Sequence, residues 1–346
     1  MDVVFWVVLC VGGTAVPMAL DLLRSFLPRK YQMGRLVAGW QKPLLLSMVA
    51  LLCVSGYYLF WASVLPYSHP PLSAAGIAHG VLATLLWVNT VWNYALCAAV
   101  DPGVLLPDEQ LAVEGGSAEK PRWPGGSRYC AVCEVRVLHL DHHCPFTGGC
   151  IGSNNYRFFL LFCLHCSAGM AYACCLSFFP FRDCVLFQCT MPALGIHRRP
   201  PPDDEACMRM AGRSLLFLPC GVLFSSLCCL ATFHFLLLAN GLTTAQFVRR
   251  FKSRGVRSLS DLFLLQVESE TDKWGQLWGG KDANLTYRLR ILLLPSLPCR
   301  RKLSPGVAGI HHWLVAISAL TALGMLIPFA ASALWNVSVR ITSLLQ

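Results

Sequence analysis

The chain has 346 residues, of which 55% are hydrophobic and 13% are charged, and its formal net charge is +10. Soluble domains carry about 25% charged residues, so this composition excludes an ordinary soluble globular protein. Because no nucleic-acid-binding motif accompanies the positive charge, it indicates attraction to an anionic lipid bilayer and no nucleic-acid partner.

Long apolar stretches predict transmembrane helices, because each can cross a hydrocarbon core of about 30 Å at a rise of about 1.5 Å per residue. The first stretch is short enough to be a signal peptide, but neither a basic n-region nor a clear cleavage site accompanies it. We therefore expect an all-α polytopic integral membrane protein with about six transmembrane helices and a small zinc-binding, cysteine-rich cytosolic domain. The six stretches are residues 3–20, 43–66, 75–100, 158–181, 214–239 and 307–335.

The loops predict the orientation of these helices. Residues 1–100 hold three helices with a basic loop at 21–42, and residues 241–306 form a second basic segment. Basic loops stay in the cytosol, so the cysteine-rich segment 101–157 should also be cytosolic. Residues 158–240 then hold two helices with a lumenal loop at 182–213, and 307–346 form the last helix and a short tail. The predicted location is the endomembrane system (Golgi or endoplasmic reticulum) or the plasma membrane, with a cytosolic active site.

This orientation sorts the eighteen cysteines. Those in the spans are expected to be small apolar packing residues. Cys184, Cys189 and Cys207 fall in the lumenal loop, where one disulfide is allowed. A reducing cytosol indicates that the cysteines of the 101–157 segment are metal ligands or a nucleophile. These are Cys130, Cys133, Cys144 and Cys150.

Cys130 and Cys133 are separated by two residues, a spacing that lets both bind one zinc ion from a tight turn. A closed zinc site needs four ligands. The segment is short and rich in glycine, so bound zinc would have to fold it. Cys144 ends the run Asp141-His142-His143-Cys144. A thiol is mostly protonated at neutral pH, but His142, oriented by Asp141, could take its proton. Alternatively, Cys144 is a fourth zinc ligand without chemistry.

The segment as a whole resembles the cysteine-rich domain of the DHHC family of protein S-acyltransferases (palmitoyltransferases). The matching features are the Asp141–Cys144 run, the step to Cys150 and the run from Asn154 to Phe159. Asp101-Pro102-Gly103 matches the family's Asp-Pro-Gly motif, and Thr243-Thr244-Ala245-Gln246 resembles its Thr-Thr-x-Glu motif. A weaker match is Gly280-x-x-x-Asn284-Leu285.

The resemblance implies a two-step transfer of a fatty acyl group from acyl-CoA, the co-substrate, to a cysteine of a protein. Cys144 would carry the acyl group, His142 would act as general base and Asp141 would orient His142. The partners would be fatty acyl-CoA, membrane-associated substrate proteins with cytosolic cysteines, and the bilayer.

One departure from the family pattern concerns the metal. Family members bind two zinc ions, and in that scheme Cys130 and Cys133 belong to one site while His143 and Cys150 belong to the other. Only residues 134–140 separate the paired cysteines from Asp141, so half of each site would remain. We hypothesise that Cys130, Cys133, His143 and Cys150 converge on one zinc ion, with His139 as a substitute ligand. The alternatives are a faulty gene model and a catalytically inactive membrane scaffold or zinc-binding adaptor of the same family.

Overall fold

The computed structural model describes residues 34–70, 73–105, 126–183, 216–254 and 284–295. Within these residues it is mostly helical. The predicted first and sixth spans, the cysteines of the lumenal loop and most of both basic loops lie outside the described residues.

Among the described residues, four helices are long and apolar enough to cross a membrane, at Leu45–Ser68, Ala74–Ala99, Tyr156–Phe181 and Phe217–Ala239. They match the second to fifth predicted spans to within three residues at each end. Together with the comparisons reported below, they support an integral membrane protein, whereas the predicted total of six spans is not confirmed.

The first described helix, α1 (Gly34–Leu59), continues through a π-helical turn at Phe60–Val64 and a last α-helical turn at Leu65–Ser68. Helix α2 (Ala74–Ala99) begins where the Ser73 side chain accepts a hydrogen bond from the backbone N–H of Gly76, at 3.0 Å. This N-cap satisfies one of the donors that a helix start leaves free.

Five short strands follow α2 and form two small antiparallel sheets. Strands β1 (Val104–Leu105), β2 (Ser127–Cys130) and β3 (Val135–Leu138) form a sheet in the order β1-β3-β2. Strands β4 (His142–Cys144) and β5 (Gly149–Ile151) pair so that His143 lies opposite Cys150. We call these two sheets the cysteine-rich domain. The strands are two to four residues long, too short to bury a core of ordinary size.

Helix α3 (Tyr156–Phe181) packs between α2 and helix α4 (Phe217–Ala239). Helix α5 (Thr244–Arg254) follows α4 after a short turn, and helix α6 (Leu285–Leu293) begins at its N-cap Asn284. Among the described residues, the largest buried cluster joins the end of α2 and the start of α3 to the cysteine-rich domain, and it includes Cys144. The domain therefore sits directly against the membrane helices.

The Asp-Pro-Gly turn fixes this attachment. The Asp101 carboxylate accepts hydrogen bonds from the backbone N–H groups of Gly103 (2.7 Å) and Val104 (2.9 Å), and Gly103 has a φ of +100° that favours glycine. Gly152 packs against this turn, because a Cβ there would lie 2.3 Å from the carbonyl oxygen of Pro102. The turn and the chain after β5 are thus in backbone contact.

Asn155 makes the second attachment. It is 1% exposed, and its Nδ2 donates to the carbonyls of Cys97 in α2 (3.1 Å) and Cys150 in β5 (2.9 Å). Its Oδ1 accepts from the N–H of Gly152 at 2.8 Å. One buried amide therefore ties α2 to the cysteine-rich domain at the residue before α3 begins.

Candidate active site and metal centre

The four predicted metal ligands come together at one point. Strand β2 and the turn after it supply Cys130 and Cys133, while β4 and β5 place His143 beside Cys150. The ligand atoms of all four residues lie within 4.8 Å of one another.

The spacing of these atoms fits tetrahedral zinc. Zinc–sulfur bonds of about 2.3 Å and zinc–nitrogen bonds of about 2.05 Å place neighbouring ligand atoms about 3.6–3.8 Å apart. The His143 Nδ1 lies 3.7 Å from the Cys130 sulfur, 3.3 Å from the Cys133 sulfur and 3.9 Å from the Cys150 sulfur. The Cys133 and Cys150 sulfurs are 3.5 Å apart. Three thiols and one imidazole are the donor set of structural zinc sites.

The cluster agrees with the hypothesis that these residues converge, and it does not divide them between two sites as the family scheme would. All four donors surround a single point, so they form one complete ligand set. His139, considered as a substitute ligand, is not among them: its ring packs against Gly126, where a Cβ would lie 2.5 Å from it. Strand β4 explains why His142 and His143 differ, since successive side chains of a strand point to opposite faces.

On the other side of β4, Asp141, His142 and Cys144 form a connected chain. The His142 Nδ1 lies 2.9 Å from the Asp141 Oδ2, and His142 is also hydrogen-bonded to the Cys144 side chain. Cys144 is 6% exposed, and the tyrosine hydroxyl of Tyr94 in α2 donates to the carbonyl of Phe146 (2.8 Å), which fixes the loop after it. Cys144 is not among the four residues of the metal cluster.

The electrostatics of this chain favour a thiolate at Cys144. Burial raises the pKa of Cys144. The hydrogen bond and charge of His142, together with hydrogen bonds to Thr147, lower this pKa by more than burial raises it, so the net shift is downward. Burial lowers the pKa of His142, but hydrogen bonds to Asp141 and Cys144 and their charges raise it to about 9. A thiolate beside an imidazolium is the reactive form of a nucleophilic cysteine.

The start of α5 holds Asp141. The Thr244 hydroxyl donates to the Asp141 Oδ2 (2.6 Å), and the Thr244 backbone N–H donates to the Oδ1 (3.1 Å). The Ala245 N–H donates to the Asp141 carbonyl at 3.2 Å. A carboxylate at a helix N-terminus is stabilised by free N–H groups and by the helix dipole.

Gln246 preserves the capping geometry of α5 although it replaces the glutamate of the family motif. Its Oε1 accepts from the Thr243 N–H (2.8 Å), and the Thr243 hydroxyl accepts from the Gln246 N–H (3.1 Å). This reciprocal pair is a capping box, which either glutamate or glutamine can complete.

Sequence reasoning did not assign a role to His234, a buried neighbour of Asp141. The His234 Nδ1 in α4 lies 4.0 Å from the Asp141 Oδ2 and 3.3 Å from the Tyr156 hydroxyl oxygen. The only signal in the sequence was an ionisable residue inside a predicted span, which is costly unless it has a partner.

His165 in Cys163-Leu164-His165-Cys166 is not a metal ligand in this structure, since both ring nitrogens face backbone carbonyl oxygens.

Comparison with known proteins identifies the domain. Residues 118–250 match the family model described as DHHC palmitoyltransferase. Palmitoyltransferase ZDHHC22 of Rattus norvegicus is 40% identical over 104 residues, which are 30% of this chain and 38% of that protein. Its Homo sapiens counterpart is 41% identical over 103 residues, or 30% and 37% of the two chains.

A more distant relative, palmitoyltransferase ZDHHC9 of Danio rerio, is 30% identical over 170 residues, which are 39% of this chain and 43% of that protein. The chain thus spans about two fifths of the length of the relatives it matches. The matched region contains the cysteine cluster and the Asp141–Cys144 run, together with α3, α4 and the capping box of α5. Residues 118–250 of this membrane protein therefore match a DHHC palmitoyltransferase domain.

Proposed function

We propose that the protein is a protein S-acyltransferase that moves a fatty acyl group from acyl-CoA to a cysteine of a membrane-associated protein. The single observation that carries this proposal is the buried chain Thr244–Asp141–His142–Cys144 at the ends of the membrane helices. It activates a thiol where an acyl chain can remain in an apolar environment.

In the first step, the Cys144 thiolate attacks the thioester carbonyl of acyl-CoA. The carbon–sulfur bond to CoA breaks as the bond to Cys144 forms, and the imidazolium of His142 gives its proton to the CoA thiolate. In the second step, neutral His142 takes the proton of the acceptor thiol, and the resulting thiolate attacks the acyl group on Cys144. The carbon–sulfur bond to Cys144 breaks, which restores the Cys144 thiolate beside the His142 imidazolium. Each step exchanges one thioester for another, so orientation and thiolate formation supply most of the catalysis.

Asp141 acts through His142. Its hydrogen bond to Nδ1 orients the ring so that the other nitrogen faces Cys144, and its charge stabilises the imidazolium. The apolar cluster around Cys144, including Leu96, Phe159 and Leu160, suits a fatty acyl chain and excludes water from the thioester.

We further propose that Cys130, Cys133, His143 and Cys150 hold one structural zinc ion. Bound zinc would supply the folding free energy that the short strands lack. His143 lies between His142 and Cys144, so a ligand bond at His143 would hold both catalytic side chains in register. The substrate proteins would present cytosolic cysteines close to the bilayer.

The test uses full-length protein purified in detergent and incubated with labelled palmitoyl-CoA. We expect label on the protein that hydroxylamine removes and that Cys144→Ser abolishes, together with one equivalent of zinc. Well-folded, zinc-loaded protein that takes up no label would overturn the enzymatic proposal and favour a scaffold. Two equivalents of zinc, or an active preparation without zinc, would overturn the single-ion site.

A further inference from the structure

Helix α6 lies in a segment that the charge pattern assigns to the cytosol, yet its contacts are with the membrane helices. The Asn89 Nδ2 of α2 donates to the carbonyl of Leu293 at 3.2 Å. The His165 Nε2 of α3 lies 2.7 Å from the carbonyl oxygen of Leu292. Asn89 and His165 are only 2% and 8% exposed.

These contacts determine the depth of α6. Helix α2 has 26 residues, so it is roughly 39 Å long and exceeds a hydrocarbon core of about 30 Å by roughly 4–5 Å at each end. Asn89 lies ten residues, or roughly 15 Å, before Ala99, which places it about 10 Å inside the core. His165 lies nine residues after Tyr156, at a similar depth in α3.

The other end of α6 lies near the membrane surface. Tyr287 is hydrogen-bonded to Arg157, the second residue of α3. Helix α6 therefore descends along α3, from the level of Arg157 to the level of His165. Arg288 and Arg290 lie in its middle, where long arginine side chains can reach the lipid headgroups.

The hydrogen bonds at the end of α6 fit a site without water. A helix leaves its last carbonyl groups without partners inside the helix, and in hydrocarbon each needs a protein donor. Asn89 supplies one such donor, the His165 ring lies at hydrogen-bond distance from a second carbonyl, and the N–H of Leu294 donates to the carbonyl of Arg290 at 2.9 Å.

The two faces of α6 have different surroundings. Ile291 is 2% exposed and packs inward, whereas Leu285, Leu289 and Leu293 are 71%, 45% and 60% exposed. These leucines are spaced by four residues and form one stripe, which we call the leucine stripe. Exposed apolar residues of α2, including Val81 and Leu85, belong to a helix of membrane-spanning length.

We propose that α6 is a membrane-inserted helix whose leucine stripe contacts the lipid acyl chains of the leaflet on the side of the cysteine-rich domain. Asn89 and His165 hold its carbonyl end inside the bilayer. This proposal departs from the sequence-based expectation that residues 241–306 lie wholly in the cytosol, and it does not depend on the acyltransferase activity.

The first test places the photo-crosslinking residue p-benzoylphenylalanine at Leu289 or Leu293 of the full chain, reconstituted in phosphatidylcholine vesicles. We expect irradiation to give adducts with the mass of one phospholipid. The control position is Val132, which is 58% exposed on the turn of the cysteine-rich domain and should give no lipid adduct. Absence of lipid adducts at both leucines, or crosslinks there to a second copy of the chain, would overturn the proposal.

The second test measures hydrogen exchange of the α6 amides in the same vesicles. Asn89→Leu removes an amide donor and His165→Phe removes the ring nitrogens, and each introduces an apolar side chain of similar bulk, so each should speed exchange about fivefold. If His165→Phe fails to fold, Asn89→Leu makes the same prediction. Unchanged exchange in a folded variant would show that these side chains do not hold α6.

Discussion

The hydrogen bond from Thr244 to Asp141 offers a sharp test of the site, because it can be removed without disturbing the cap of α5. Thr244→Val keeps the branched shape and the backbone N–H that lies 3.1 Å from the Asp141 Oδ1. It removes only the hydroxyl that lies 2.6 Å from the Oδ2. The capping box of Thr243 and Gln246 is untouched.

The size of the effect follows from the charge of the acceptor. A hydrogen bond to a charged group contributes about 1.5–3 kcal/mol. If all of it serves to hold Asp141 against His142, its loss lowers the rate of Cys144 acylation about 10- to 150-fold. Thr244→Ser keeps the hydroxyl and should acylate within about threefold of the wild-type rate.

The assay is the initial rate of hydroxylamine-sensitive labelling by palmitoyl-CoA, with zinc content as the measure of folding. Wild-type labelling by folded Thr244→Val would refute the role of this hydrogen bond. An equal loss in Thr244→Ser would show that packing, and not the hydroxyl, determines the rate.

Three further predictions concern the packing of Gly152, the cap of α5 and the metal ion. Gly152→Ala should lower the free energy of unfolding by about 1–3 kcal/mol, because its Cβ would lie 2.3 Å from the Pro102 carbonyl oxygen; thermal unfolding tests this, and an unchanged midpoint would contradict the packing. Gln246→Glu should be nearly neutral in the same assay, while Gln246→Ala should cost about 1 kcal/mol by opening the capping box. Removing zinc with a chelator should abolish labelling and expose the thiols of Cys130 and Cys150 to alkylation, and retained labelling in metal-free protein would contradict a structural role for the ion.

The sequence predicted the four described spans well, because soluble folds rarely contain repeated apolar stretches of about twenty residues, whereas membrane helices require them. It also predicted that Cys130, Cys133, His143 and Cys150 come together, because these residues lie close together in the chain. It did not predict the contact between Asp141 and Thr244, because the spacing of two motifs 103 residues apart does not specify their pairing in space.

Helix α6 was harder to place, since its arginines indicate a cytosolic segment. Its depth depends on contacts of Asn89 and His165 with backbone carbonyls. Every residue has a backbone carbonyl, so composition and periodicity do not predict these contacts. The family scheme divides the four ligands between two metal sites, whereas the sequence-based hypothesis placed them at one. The structure brings them together in one set through the register of β4 and β5.

The hold of α5 on Asp141 has a consequence for biosynthesis. Thr244 follows Asp141 by 103 residues, and a ribosome adds about 5–20 residues per second. For roughly 5–20 seconds the cysteine-rich domain is therefore exposed at the membrane without the hydroxyl and N–H groups that orient its carboxylate. Cys144 should reach full reactivity only after α4 has inserted and α5 has been made, so premature acylation of the nascent chain is limited by the order of synthesis itself.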